Sequence, residues 1–446
     1  MKRVLGFLAI ALLFVAQNAW ATNGHQLIAV GSYGEGMAGA VTAAPFDTTT
    51  AISNPAGLTK LGARADFHFQ QLMPKRSVDW TALGGTKTEG GSDKYLIPSV
   101  GWSAPINDDE TLFFGGGMFV TSGMGVDYDS VNAGFLQINS TGTVPGPMMK
   151  GRVYSQYQFW KMAPTLAKKF SDKLSVGLAL NVDYQQLSLK QWFYNTDTTT
   201  YPSPYLSSMG IDLSTPMGVM GYGFTIGALY DVNDMISIGV NYSSKQSFDK
   251  MQFRLQKGNV TYAPTGTGTL FVSRDGTYSL GMDFPSQYAF GVAVRPSEAW
   301  LVTLDYKKIN FSETLDSLSL EGTYDTTSLT TGATSTASAM PLAFKWKDVN
   351  VYALGIQYKL GDGGWLRAGY NSGDSPIDSS NASSAWALPA ITKNHYSFGG
   401  TGNIGKHWQG HFAYQIANEE TVASANGDKI SLKGTSVTVG LSYLFR

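Results

Sequence analysis

Period-two alternation runs through almost the whole chain, and one of its two faces carries very little charge. Near the C-terminus Val437, Val439, Leu441, Tyr443 and Phe445 alternate with Ser436, Thr438, Gly440 and Ser442. Leu174, Val176, Leu178, Leu180, Val182 and Tyr184 alternate with Ser175, Gly177, Ala179, Asn181 and Asp183. The pattern recurs at 236–242, 288–294, 300–306, 352–358 and 408–416. Successive side chains of a strand point to opposite faces, so each segment has one apolar face and one small, polar face. A soluble sandwich also alternates, but its water-facing side would be richly charged. Charged residues are 15% of this chain, against roughly 25% in soluble domains. Glycine (51 of 446) and aromatics (10 Trp, 23 Tyr, 23 Phe) are abundant. These features predict an all-β, transmembrane β-barrel, apolar toward lipid and polar toward the lumen.

Turn positions predict the strand count. Short polar connections stand at 107–109, 171–173, 232–234, 296–298, 361–364 and 403–405. They make six hairpins, or twelve strands. One strand precedes them near Arg64 to Met73 and one follows at Thr435 to Phe445. The sum is a 14-stranded antiparallel barrel, even as single-chain bacterial barrels are. Longer polar segments at 74–94, 123–150, 190–215, 255–283, 314–345, 373–392 and 419–433 are expected to be extracellular loops. Trp102, Trp160, Trp192, Trp300, Trp365 and Trp408 near strand ends are expected in interfacial girdles.

The start of the chain reads as export followed by a plug. Lys2 and Arg3 precede an apolar run, Val4 to Ala16, and Ala19-Trp20-Ala21 is a small-x-small cleavage site. Thirteen apolar residues are too few to span a bilayer, so residues 1–21 read as a signal peptide cleaved after Ala21. Residues 22–62 are glycine- and alanine-rich, with scattered apolar groups and too broken a pattern for a long strand. Their hydrophobicity favours a plug in the lumen over a disordered tail. Residues 63–446 form the barrel.

At this point the residues resemble a known family. Gly24-His25-Gln26-Leu27, the glycine-studded 31–40 and Asn54-Pro55-Ala56 just before the first strand look like the hatch of the FadL-type proteins. So does the first hairpin turn at 100–109. These are the outer-membrane long-chain fatty-acid transporters, with toluene- and xylene-uptake channels among them. The resemblance covers the whole chain and implies a Gram-negative outer-membrane protein. It implies capture of a hydrophobic small molecule by extracellular loops, passage past a shifting hatch, and sideways exit at a kink in the third strand. Such an exit spares an apolar solute a water-filled pore. The resemblance favours a long-chain fatty acid. An aromatic hydrocarbon is the alternative, and a general diffusion porin a more distant one.

Candidate residues follow. Gly115, Gly116, Gly117 and Gly123 mark the kink, because glycine inside a strand weakens pairing and permits bends. The expected ligand path runs over Leu27, Ile28, Val30, Tyr33 and Met37 of the hatch and Phe119 of the third strand. It includes Phe135, Leu136, Met148 and Met149 of one loop and Tyr205 and Met209 of another. Exposed apolar clusters on loops mark binding sites, and methionine adapts to varied ligands. A carboxylate head-group would call for Arg152, Lys150 or Lys161. Asp183, Asp305 and Lys307 read as a paired lumenal network.

Other functions are disfavoured. With no cysteine and five histidines, the chain offers no obvious metal site or catalytic set. His407 and His411 stand roughly 13 Å apart along a strand, and no nucleophile motif accompanies them. The chain is read as a non-enzyme without cofactor. A net charge of −1 argues against nucleic acid. Outer-membrane lipid, lipopolysaccharide and the barrel-assembly machinery are the other expected partners, and a lateral exit in each subunit fits a monomer. Arg446 follows Phe445 at the end, where an aromatic usually marks such barrels for assembly.

Overall fold

The structure is a computed structural model describing residues 22–139, 142–196, 207–264, 267–361 and 363–445. Side-chain surroundings are described outside 135–147. The signal-peptide expectation, Phe135, Leu136, Tyr205 and Arg446 lie outside those limits.

Fourteen antiparallel strands close on themselves. They are β1 (Arg64–Asp79), β2 (Tyr95–Pro105), β3 (Leu112–Asn139) and β4 (Gly142–Met162, resumed at Thr165–Lys169). Then come β5 (Leu174–Asn195), β6 (Val219–Asp231), β7 (Ile236–Ser243), β8 (Gln287–Ser297) and β9 (Trp300–Ile309). The last are β10 (Val349–Lys359), β11 (Gly364–Gly373), β12 (Asn394–Ile404), β13 (Trp408–Ala423) and β14 (Lys429–Leu444). Each pairs with its neighbour in sequence, and β14 pairs with β1 from Lys429↔Asp79 to Leu444↔Arg64. The ring of strands is thereby closed, as hydrocarbon requires.

Alternation does what the sequence implied. On β5, Leu178 and Leu180 face outward while Ala179, Asn181 and Asp183 are buried inward. Aromatics ring the outer wall at two levels. Tyr288, Tyr306 and Tyr352 neighbour one another at 6.4 and 5.4 Å, nearer the long loops. Trp300–Tyr358 and Trp408–Tyr443 lie at 4.7 and 4.9 Å, nearer the short turns. One expected girdle residue faces the other way. Trp365 points into the lumen and meets Phe46 edge-on at 5.3 Å, since it shares parity with inward Arg367 and not with outward Leu366.

The long connections differ from expectation as well. The described residues of segments 123–150 and 190–215 are largely strand, not loop. β3 has 28 residues and β5 has 22, where about 9–11 cross a bilayer. The excess projects outward and, with shorter loop strands, encloses a second core. It contains Trp80, Tyr128, Met149, Phe193, Phe253 and Tyr324, all buried.

Candidate functional site

Residues 22–60 run along the inward faces of the strands. Thr22–Asn23 and Gln26–Leu27 form a tiny hairpin around Gly24, whose φ is +66°. A Cβ there would also strike the Phe311 ring, so the turn demands glycine. Helix α1 (Gly31–Gly36), helix α2 (Thr50–Ser53) and a 3₁₀ turn (Pro55–Lys60) follow. Asn54 caps the 3₁₀ turn through Ala56 N–H, and its Nδ2 donates to Thr42 O and Ala228 O. Pro55 and Ala56 lie against Gly177, where a Cβ would come within 2.4 Å.

Wall side chains hold residues 31–60 by their backbone. Asp305 Oδ2 accepts from the Val41 and Thr42 amides at 2.9 and 2.8 Å. Thr303 donates to Ala40 O and Asn371 to Ala38 O, at 2.8 and 3.0 Å. Asp66 accepts from the Thr48 amide at 2.8 Å while paired with Arg64, which donates to Phe46 O. Asp305 therefore serves backbone amides, whereas the sequence suggested a pairing of lumenal charges with one another. Lys161 and Asp183 do pair, at 2.9 Å. Glu35 of α1 accepts from Ser436 and Thr438 of β14. It has no ion pair among the described residues, and burial pushes its carboxyl up to about 7.

The first nine residues are held differently. The pairing of β2 with β3 ends at Ser99↔Phe119. Beyond it β3 bulges at Thr121, and residues 22–27 take the place of β2. Gln26 bridges Ser122, and His25 O accepts from Ser122 Oγ at 2.7 Å and the Gly123 amide at 3.2 Å. Just below, Gly116 has φ +133°, facing the break in β4 at Ala163–Pro164. The positive φ of Gly116, the bulge at Thr121 and the end of the β2–β3 pairing thus lie close together on β3. Leu27, Val30, Leu72 and Phe119 form an apolar cluster there, with Tyr95 and Ile97 against it.

Beside this junction lies a cavity of about 80 Å³. Leu27, Ile28 and Val30 line it from the N-terminal side, and Thr121, Lys161 and Lys307 from the wall. It exceeds what a water needs, yet is smaller than the roughly 150 Å³ that admits benzene. Lys307 has no ion pair among the described residues.

His25 fills the adjoining space. Its ring lies 5.0 Å from Phe311, 5.3 Å from Tyr157, 5.4 Å from Phe284 and 5.6 Å from Trp346. Its Nδ1 is 2.6 Å from Ser122 Oγ. Burial pushes the imidazole down to about 3, so it is uncharged here.

The other candidates fall elsewhere. Tyr33 stacks on Phe46 and donates to Ala44 O, while Met37 packs under Gly355 and Gly369, so neither lines the cavity. Met149 is in the outer core, Met209 packs against it, and Met148 is half-buried. Arg152 pairs with Asp127 at the surface, and Lys150 is exposed. His411 faces inward, whereas His407 sits in a turn against Tyr443. Sequence reading missed His25, Ser122, Phe284, Phe311 and Trp346 as site residues.

A family model described as outer membrane protein transport protein (OMPP1/FadL/TodX) matches residues 12–443. The chain belongs to that family. No curated protein matches it by sequence. Among solved structures, the Pseudomonas putida toluene transporter TodX superposes with TM-score 0.70 at 19% identity, covering 94% of this chain and 99% of TodX. A Pseudomonas aeruginosa FadL homologue gives 0.67 at 15% identity, with 95% and 100% covered. The Ralstonia pickettii toluene transporter TbuX gives 0.65 at 18%, with 94% and 99% covered. At such identities they show the fold. This FadL/TodX member is an outer-membrane channel for hydrophobic substrates.

Proposed function

We propose that this channel takes up long-chain fatty acids, that residues 22–62 are its hatch, and that ligand leaves sideways through the wall. The observation that carries the reading is the seat of residues 22–27. They lie where the pairing of β2 with β3 has ended, beside a cavity lined by the half-buried Lys307 and by the buried Lys161, which is paired with Asp183. An acyl chain entering from the outer loops would displace them, with its carboxylate held by Lys307 and Lys161. Withdrawal of the hairpin opens a gap along Leu27, Phe119 and Ile97. The acyl chain then passes into the bilayer without crossing water. We take the protein to act as a monomer, folded by the barrel-assembly machinery among lipopolysaccharide, after cleavage behind Ala21.

The test is saturable binding of a radiolabelled long-chain fatty acid by the detergent-purified protein. Lys307→Gln should weaken it about tenfold, as loss of one charge-assisted contact does. Binding indifferent to Lys307 overturns the assignment. The second reading, an aromatic hydrocarbon, is favoured by the rings around His25 and by the toluene transporters TodX and TbuX. Toluene bound in place of the fatty acid would select it.

A further inference from the structure

The space that His25 fills is shaped for a ring, and it opens beside a cation. Four aromatic side chains from separate parts of the chain converge on it: Tyr157 on β4, Phe284 before β8, Phe311 after β9 and Trp346 before β10. Tyr157 and Phe311 meet the imidazole at interplanar angles of 65° and 75°. Phe284 and Trp346 are tilted to it at 52° and 38°. This is how aromatic rings enclose another ring, positive edges toward negative faces.

The same Phe284 lines the cavity that holds Lys161 and Lys307. The Lys161 ammonium is 5.9 Å from its centroid. The cavity wall also carries Thr121, Asn241, Gln246 and Gln287 beside its apolar groups, which gives a ligand's polar end partners there. The box and the cavity thus share one wall, with a ring on one side and positive charge on the other.

We propose that the box occupied by His25 is a binding site for the ring of an aryl-alkanoic acid, with its carboxylate on Lys307 and His25 as the resident competitor. The proposal rests on the channel reading above and narrows its substrate class. The ring takes the place of the imidazole, and a short alkyl link passes Phe284 to the lysines. No bond is made or broken.

The experiment uses the full-length protein in detergent and three probes: 4-phenylbutanoate, decanoate and toluene. The two acids have equal carbon number. Hydrophobicity alone does not favour the ring, since the straight chain offers at least as much apolar surface. The expected result is about tenfold tighter binding of 4-phenylbutanoate than decanoate, with a change in Trp346 fluorescence on binding. His25→Ala should tighten 4-phenylbutanoate several-fold, and Phe311→Ala should abolish its advantage over decanoate. Lys307→Gln should weaken both acids equally and leave toluene unaffected. Retained heat-modifiable gel mobility shows that each variant is folded. Equal binding of the two acids, or weaker 4-phenylbutanoate binding in His25→Ala, overturns the ring site and leaves the fatty-acid channel standing. Binding of neither acid overturns both.

Discussion

Residues 22–30 and residues 31–60 lie in one lumen, in one continuous stretch, and are attached in opposite ways. The second stretch is gripped by charged, amide and hydroxyl side chains from across the wall: Asp305, Asp66, Asn371 and Thr303 each hold its backbone. The first stretch is held at two places. Thr392 donates to Thr22 O at 2.9 Å, and Ser122 and Gly123 hold His25. None of these bonds comes from an ionised side chain. Bonds from ionised side chains contribute roughly twice what neutral ones do. A lightly held stretch and a firmly held one therefore adjoin without a linker, with charge reserved for the second.

The largest test attacks the fixed part. Asp66→Asn leaves Arg64, buried and bonded to Asp66, without its counter-charge. It should cost about 3–5 kcal/mol, read from the urea midpoint for loss of the fast-migrating folded band. A loss below about 1 kcal/mol would mean that the lumen is wetter and the grip weaker than described. The next test acts on the seam between the parts. Gly39 has φ +85°, and a Cβ there would lie 2.7 Å from Ile28 O. Gly39→Ala should cost about 1–3 kcal/mol and raise protease access at residues 22–30 while residues 31–60 stay protected.

Acidity should divide the two parts with opposite signs. The His25 imidazole is lowered to about 3 from 6.5, so the withdrawn hairpin binds the extra proton. Its docking is complete above 6.5 and weakens about tenfold per pH unit as pH falls from there toward 3. Glu35 is raised to about 7 from 4.5, so here the docked state keeps the proton. Its contribution is complete below 4.5 and is lost as pH rises toward 7. Hydrogen exchange, corrected for intrinsic rates, should show residues 22–28 loosening in acid and α1 loosening toward neutrality. Parallel changes would mean that the two stretches move as one body. The smallest effect belongs to deletion of residues 22–28. The unfolding midpoint should stay within about 1 kcal/mol of wild type, since no wall charge is stranded. Leak of small solutes through proteoliposomes should rise. An unaltered leak would mean that residues 31–60 close the lumen alone.

The barrel was legible because lipid imposes a single rule on every strand. Leu178 and Asn181 on β5 needed only their parity to be placed. Trp365 was misplaced by reading its position near a strand end and ignoring its parity with Arg367. The outward extension of β3 through 123–139 was hidden because alternation continues there without the bilayer, and its polar mixture resembles loop. The glycine run Gly115, Gly116 and Gly117 was legible, and it holds the positive-φ position Gly116. The box was not. Tyr157, Phe284, Phe311 and Trp346 are scattered over 190 positions of sequence, and only barrel closure brings them to one point. Asp305 was recognised as inward, but nothing local says that its partners are amides of Val41 and Thr42.

The seam between β14 and β1 carries a consequence for how the molecule comes into being. Its pairs, from Lys429↔Asp79 to Leu444↔Arg64, join the earliest wall strand to the last one synthesised. Loop-closure entropy for so distant a contact has to be met before the contact repays it. Every intermediate short of that seam is a curved sheet with two raw edges, which hydrocarbon rejects. Insertion is then all or nothing: a chain shortened by its final strand should stay outside the bilayer, and zipping of that seam should set the pace of assembly.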